Sequence, residues 1–329
     1  MHPFRHLTPT TSAEAIHLLA TAPGRPRLLA GGTTLLDLMK LNVEQPELLI
    51  DITRISGLRD IRIDGDTLVL GALVHMSDVA DHPVIKRDYP VLSEALWRGA
   101  SQQIRNMATL GGNLLQRTRC SYFRDTQFAC NKRAPGSGCA AIDGGNRGHA
   151  LLGTSSQCIA TYPGDWAVAL VAMDASVDTL SPRGQRTIPV AELHRQPGDT
   201  PHIDHVLAPD EMIIGTRVPA SPLGKASTYL KIRDRESYAF ALTSSAVALS
   251  MDGNRVRDAR IALGGVATVP WRAREAERSL TGKTLDETAA RQAGALAFAG
   301  VQTSPQNAFR VPLGINTLVR ALMIAKGRA

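Results

Sequence analysis

Hydrophobic spacing changes character several times along this chain. The short apolar run Arg27-Leu28-Leu29-Ala30 reads as a strand that ends at Gly31-Gly32-Thr33-Thr34. Leu35, Leu36, Leu38, Met39 and Leu41 then recur at helical spacing, with Asp37 and Lys40 on the other side. After Pro46, Glu47 to Ile52 reads as a second strand, so the opening forms a βαβ unit. From Leu58 to Leu73 short alternating strands surround a turn at Asp64-Gly65-Asp66. Two helices follow, one after Met76-Ser77 with Ser77 as N-cap, the other over Val91 to Ala100.

Periodicity fails between residues 116 and 161, where Pro135-Gly136-Ser137-Gly138 and Asp143-Gly144-Gly145-Asn146 occur. An irregular stretch of this length inside a folded domain points to function. Regular spacing returns at Trp166 to Leu180, and a Pro/Gly/Ser joint at Pro219 to Gly224 divides the chain into domains of residues 1–221 and 222–329. The second part predicts strands at Ser227–Ile232, Ala241–Met251 and Arg257–Leu263, with a hairpin turn at Asp252-Gly253. Helices are then expected over Trp271 to Leu280, Leu285 to Gly300 and Pro305 to Lys326, the last with Ser304 as N-cap and Pro305 at the first helical position.

With 43% hydrophobic and 20% charged residues, the 329-residue chain can bury two cores. No apolar run approaches the ~20 residues of a membrane span. Met1 to His6 leads into a polar Thr/Pro segment, so no secretory signal is expected. The net charge of +7 suits an acidic ligand. Aromatics are only 4% and no long Lys/Arg run occurs, which argues against a nucleic-acid partner and for a phosphate-bearing cofactor.

Two segments carry the chemistry of such a cofactor. In Leu29-Ala30-Gly31-Gly32-Thr33-Thr34-Leu35, glycines after a strand admit close backbone approach, and the amides and hydroxyls can donate to phosphate. Arg105 to Leu114 holds a second run, Ala108-Thr109-Leu110-Gly111-Gly112-Asn113, equally readable as a tight loop. Neither is a dinucleotide G-x-G-x-x-G or a P-loop, and Gly282-Lys283-Thr284 lacks the P-loop's earlier glycine.

All four cysteines fall in the irregular segment, at Cys120, Cys130, Cys139 and Cys158. Structural zinc sites draw ligands in close pairs about two to four residues apart, and no close pair exists here. Four separated thiolates on a glycine-rich loop suit a larger group such as a [4Fe-4S] cluster, with zinc, disulfides and unligated thiols as the other readings. Arg117, Arg119, Arg124, Lys132, Arg133 and Arg147 could balance its negative charge.

Together the segments resemble the FAD-binding medium subunit of the xanthine dehydrogenase family of molybdenum hydroxylases. The carrying motifs are Ala30 to Leu35, Ile104 to Asn113, and Tyr162-Pro163-Gly164-Asp165, followed by Glu211-Met212-Ile213-Ile214, Val218-Pro219 and Tyr229-Leu230-Lys231. The likeness runs over nearly the whole chain. It implies an α+β fold: an FAD-binding domain of two α/β subdomains, then a domain with an antiparallel sheet and helices. It also implies FAD contacts from Leu29, Ala30, Gly31, Gly32, Thr33, Thr34 and Leu35, from Ala108, Thr109, Gly111, Gly112 and Asn113, and from Asp165, Ile214 and Lys231.

In the usual family pattern the Gly-Gly-Asn motif and the later aspartate are close in sequence. Here the cysteine segment separates Asn113 from Asp165. The segment resembles the insertion in FAD subunits of bacterial periplasmic aldehyde oxidoreductases, which implies a [4Fe-4S] cluster on Cys120, Cys130, Cys139 and Cys158. The resemblance further implies a large molybdenum-cofactor subunit and a small [2Fe-2S] subunit as partners, with electrons passing through FAD to an external acceptor. No acid–base pair is assigned to this chain. Co-export to the periplasm with a signal-bearing partner is the expectation, with the cytoplasm as alternative. Rival readings are a molybdenum hydroxylase for xanthine or another N-heterocycle, a zinc-stabilised scaffold, and a self-contained flavoprotein oxidase.

Overall fold

The computed structural model describes residues 1–329. Strands β1 (Arg5–Leu7), β2 (Pro26–Leu29) and β3 (Leu48–Asp51) form a parallel sheet in the order β1-β3-β2. Leu48, Leu49 and Ile50 of the central strand are all buried, as a strand covered on both faces requires. Helix Ser12–Thr21 packs Ala15, Ile16 and Leu19 into the core beside it, and the Thr11 side chain caps its first turn by accepting from the Glu14 amide.

Strands β4 (Ile61–Asp64), β5 (Thr67–Gly71), β6 (Ser176–Ser181), β7 (Gly184–Pro189) and β8 (Met212–Pro219) make an antiparallel sheet in the order β4-β5-β8-β6-β7. The β4–β5 turn needs Gly65, which takes φ +56°. A third sheet, β9 (Ser227–Ile232), β10 (Thr243–Asp252), β11 (Arg255–Gly264) and β12 (Trp271–Arg272), is also antiparallel, in the order β12-β11-β10-β9. Helices Arg274–Leu280, Glu287–Ala297 and Arg310–Lys326 cover one of its faces. The fold is therefore α+β, with the antiparallel sheet and its helices at the C-terminal end.

Helix Trp166–Ala172 is apolar all round, and all seven of its residues are buried. It lies in a core that runs from the second sheet, through helices Met76–Asp81 and Pro90–Trp97, to Tyr229, Ala246, Ala248 and Ala262 of the third. The second and third sheets thus share one apolar interior. No helix is long and apolar enough to cross a membrane.

Several helix starts differ from the sequence expectation. Ser77 is not an N-cap: the helix begins at Met76, whose amide donates to the Ala108 carbonyl, so a neighbouring loop satisfies that end. Trp271 opens no helix; it pairs with Leu263 as an edge strand, and the helix starts at Arg274. The last helix begins at Arg310 rather than Pro305, because the Ser304 hydroxyl bonds the Asn146 side chain and residues 305–309 form turns.

Candidate cofactor site

The two glycine-bearing loops face one another across a cavity of about 1090 Å³. Leu29, Ala30, Gly31, Gly32, Thr33, Thr34 and Leu35 line it from one side, Ala108, Thr109, Gly111, Gly112 and Asn113 from the other. The loops touch through their backbones. A Cβ on Gly31 would lie 1.9 Å from the Met107 carbonyl oxygen, so only glycine permits this approach. Gly32 adopts φ +71° beside it.

The amides of Gly31, Gly32, Thr33, Thr34 and Leu35 find no backbone or side-chain acceptor in the protein. Five successive N–H groups bordering one cavity suit the oxygens of a pyrophosphate. Opposite, the Thr109 hydroxyl accepts from the Gly112 amide, and the Asn113 Nδ2 donates to the Met76 sulfur. The Asn113 Oδ1 is buried without a partner at the cavity wall. These unmatched polar groups and the cavity's volume, at the top of the ~300–1,000 Å³ range of ligand sites, fit FAD.

At the cavity's inner end the Lys231 ammonium donates to Asp165 Oδ2 at 2.8 Å and to the Arg98 carbonyl at 3.0 Å. The Tyr229 hydroxyl donates to Asp165 Oδ1 at 2.6 Å and accepts from the Ser244 hydroxyl at 2.8 Å. Burial, and then the adjacent Asp165 carboxylate, push the Tyr229 phenol well above its usual range, so it remains a donor. Ala100 completes this end in the left-handed region at φ +49°. Arg105, stacked on Trp97, donates to the carbonyls of Gly99 and Ala100 and fixes the turn.

Ile214 is not brought into the cavity. It packs in the core with Met212, Ile52 and Leu73, which do line the site together with Ile213. Ile214 is the extra residue of a bulge, since Thr179 and Asp178 of β6 pair with Ile213 and Gly215 and skip it. Two walls had no clear sequence signal: residues 202–209, which include Asp204 and His205, and the loop carrying Arg235, Tyr238 and Phe240.

The cysteine segment borders the same cavity. Arg119 and Arg124 both pair with Asp37, at 3.4 and 2.6 Å, and Arg119 reaches the Thr34 hydroxyl. Arg117 bridges Glu44 and Asp204 at 2.7 and 2.8 Å, while Lys132 donates to Asp204. Burial pushes the Asp204 carboxyl up, but Arg117 and Lys132 outweigh it and hold it below the usual carboxylate range. Cations flagged in the sequence thus tie the segment to the first glycine loop.

All four cysteines are free, and their thiols converge. Cys120 feels the charges of Cys130 and Cys158, and Cys158 those of Cys139 and Cys130. Burial pushes the Cys120 thiol up to about 11, opposed by the amides of Phe123 and Tyr122. An antiparallel bridge joins Cys130 to Cys139, and the Ala160 amide donates to the Cys158 sulfur. No three His, Cys, Asp or Glu side chains lie close enough to grip a single metal ion. Tetrahedral zinc would need sulfurs only ~3.8 Å apart, given its short Zn–S bonds. Cys130 and Cys158 are buried, while Cys120 and Cys139 are half-buried. Four convergent thiols with amide donors fit a wider anionic iron–sulfur group.

One neighbour of these thiols, and an arginine that holds its backbone, lay outside the sequence reading. His149 Nε2 lies 3.2 Å from Cys120 Sγ. Arg310, 1% exposed, gives every hydrogen bond to carbonyl oxygens, those of Arg147, His149, Leu242 and Gly265.

Residues 2–221 match the family model described as the FAD binding domain in molybdopterin dehydrogenase, and residues 228–325 that of the CO dehydrogenase flavoprotein C-terminal domain. The chain is 46% identical to the aldehyde oxidoreductase FAD-binding subunit PaoB of Escherichia coli, over the full length of both. It is 31% identical to the carbon monoxide dehydrogenase medium chain of Hydrogenophaga pseudoflava, covering 90% of this chain and 86% of that one. A solved structure of carbon monoxide dehydrogenase from that organism superposes with a TM-score of 0.78 and 29% identity, covering 100% of this chain and 99% of the other.

Proposed function

Because this chain belongs to the family of FAD-binding subunits of molybdenum hydroxylases, we propose that it is the flavin subunit of an aldehyde oxidoreductase complex. The carrying observation is the 46% identity to an aldehyde oxidoreductase FAD-binding subunit, over an alignment that covers both chains in full. On this reading a large molybdenum-cofactor subunit oxidises the aldehyde, and electrons pass through a small [2Fe-2S] subunit to this chain. FAD supplies the redox chemistry here, receiving those electrons and delivering them to an external acceptor.

The protein's own residues bind and orient. The free amides of Gly31 to Leu35 would hold the pyrophosphate, with Arg119 and Arg124 adding positive charge nearby. Ala108, Thr109, Gly111, Gly112 and Asn113 would form the facing wall. Asp165 and Lys231 would present a fixed, buried charge pair at the inner end, where the cavity excludes water. Cys120, Cys130, Cys139 and Cys158 would hold a [4Fe-4S] cluster in the inserted segment. Their closeness, with Cys130 and Cys158 buried and Cys120 and Cys139 half-buried, supports a multivalent cationic core between them.

The test is chemical analysis of the complex purified without oxygen. Flavin, iron, acid-labile sulfide and zinc are counted per chain, and spectra are taken before and after addition of an aldehyde. One FAD, and about four iron and four sulfide beyond the [2Fe-2S] centres, with flavin bleaching on aldehyde addition, are expected. Bleaching by an N-heterocycle alone would move the substrate class. Zinc in place of the extra iron would remove the cluster. Export of the complex to the periplasm with a signal-bearing partner belongs to the same proposal and is checked by cell fractionation.

A further inference from the structure

The [4Fe-4S] reading leaves unexplained why a histidine and an unpaired arginine are buried beside the cysteine segment. His149 is 6% exposed, and its Nε2 faces Cys120 Sγ at 3.2 Å. A cluster-bound cysteine sulfur is a thiolate with no proton to give, so the contact is attractive only with the hydrogen on Nε2. The imidazole is held by its own backbone. Arg310 Nη1 donates to the His149 carbonyl at 2.6 Å and to that of Arg147 at 3.4 Å. Arg310 in turn is fixed by the carbonyls of Leu242 and Gly265 in the third sheet's loops. It has no carboxylate within ion-pairing distance, and only Asp234, already paired with Arg147, offsets its positive charge from farther away.

We infer that His149 is the outer hydrogen-bond donor to the Cys120 ligand of the cluster, and that Arg310 positions it and supplies buried positive charge. This rests on the [4Fe-4S] reading and goes beyond it. Donation to one sulfur draws electron density from that ligand and favours the reduced cluster. The arrangement makes Cys120 unlike the other three ligands. Cys158 receives a donor from the Ala160 backbone amide, whereas Cys120 receives, besides the amides of Phe123 and Tyr122, a side-chain donor that mutation can remove.

The experiment uses the purified complex, wild type and the variants His149→Phe and His149→Gln. Iron, sulfide and flavin are counted first, then resonance Raman spectra are recorded in H₂O and D₂O. The wild type should show an Fe–S(Cys) band that shifts in D₂O, and the variant-minus-wild-type difference isolates it from the partner's [2Fe-2S] centres. His149→Phe should lose that shift at unchanged iron, and its cluster should be about tenfold harder to reduce, which is 59 mV for a one-electron couple. His149→Gln, whose amide can still donate, should recover part of both. A D₂O shift that survives undiminished in His149→Phe, or a reduction midpoint that does not move, overturns the inference while leaving the cluster in place. Absence of the extra iron in wild type instead removes the [4Fe-4S] reading itself. If His149→Phe does not fold, a wild-type spectrum without any D₂O-sensitive Fe–S band still overturns the inference.

Discussion

Lys231 Nζ lies 2.8 Å from Asp165 Oδ2, and the two side chains are only 1% and 10% exposed. The pair joins β9 to the start of the buried helix Trp166–Ala172, so it crosses from the C-terminal sheet to the centre of the first domain. Asp165→Ala should destabilise the protein by about 3–5 kcal/mol, because the lysine charge is then buried without its partner. Asp165→Asn combined with Lys231→Met should recover much of that loss. Thermal unfolding with parallel measurement of bound flavin separates the two effects: the double variant regains stability but not full flavin occupancy.

Gly31→Ala should empty the flavin site. The added methyl would meet the Met107 carbonyl at 1.9 Å and push the two loops apart. Gly148→Ala, where the added methyl meets nothing within 4 Å, serves as the control and should keep normal flavin content. The ratio of flavin to protein absorbance after gel filtration reads both.

Acid should weaken the fold through His194. Burial depresses its pKa to about 4, against a smaller opposing pull from the Leu114 carbonyl, to which the ring donates at 2.8 Å. An unfolded histidine titrates near 6.5, so the unfolded chain binds more protons below that pH. The contribution is whole above about pH 6.5 and is lost as pH falls towards 4, by roughly 2–3 kcal/mol. His194→Gln should flatten this part of the stability–pH curve, measured by denaturant midpoints at several pH values.

Cys130→Ser should remove the extra iron and sulfide while leaving FAD bound, since Cys130 does not line the flavin cavity. Unchanged turnover and flavin reduction in the folded variant would assign the cluster a bracing role. Slower flavin reduction by aldehyde at full flavin content would assign it a relay role. Stopped-flow absorbance distinguishes them.

Ala100 holds φ +49° next to the cavity. Ala100→Gly should stabilise the protein by up to about 1 kcal/mol by releasing left-handed strain, the gain trimmed by glycine's greater freedom when unfolded. Chemical denaturation at neutral pH measures the difference.

Local patterns made some of this architecture readable and left other parts closed. The strand before Gly31, the helix over Leu35 to Lys40 and the Asp252-Gly253 hairpin follow from spacing and turn chemistry within a few residues. The glycine loops announced a phosphate-bearing ligand because amides without side-chain cover have few other uses. Ile214 against Ile213 is a question of strand register, which depends on the partner strands. The wall at residues 202–209 and the cover around Tyr238 and Phe240 arise only when distant segments meet. Arg310 looked like one more basic residue on a helix. Its carbonyl partners lie 45 to 163 positions away in sequence.

The Arg310 clamp has a consequence for the order of maturation. The cysteine segment is held to the later part of the chain by the Leu151–Val266 and Tyr162–Ala267 backbone bonds, by Ser304 on Asn146, and finally by Arg310. About 150 residues must be made after Cys158 before that last fastening exists. At about 5–20 residues per second of synthesis, the thiols wait roughly 8 to 30 seconds on a growing chain with their lid unmade. Iron offered in that interval would meet all four thiols open; iron arriving later would find Cys130 and Cys158 already buried.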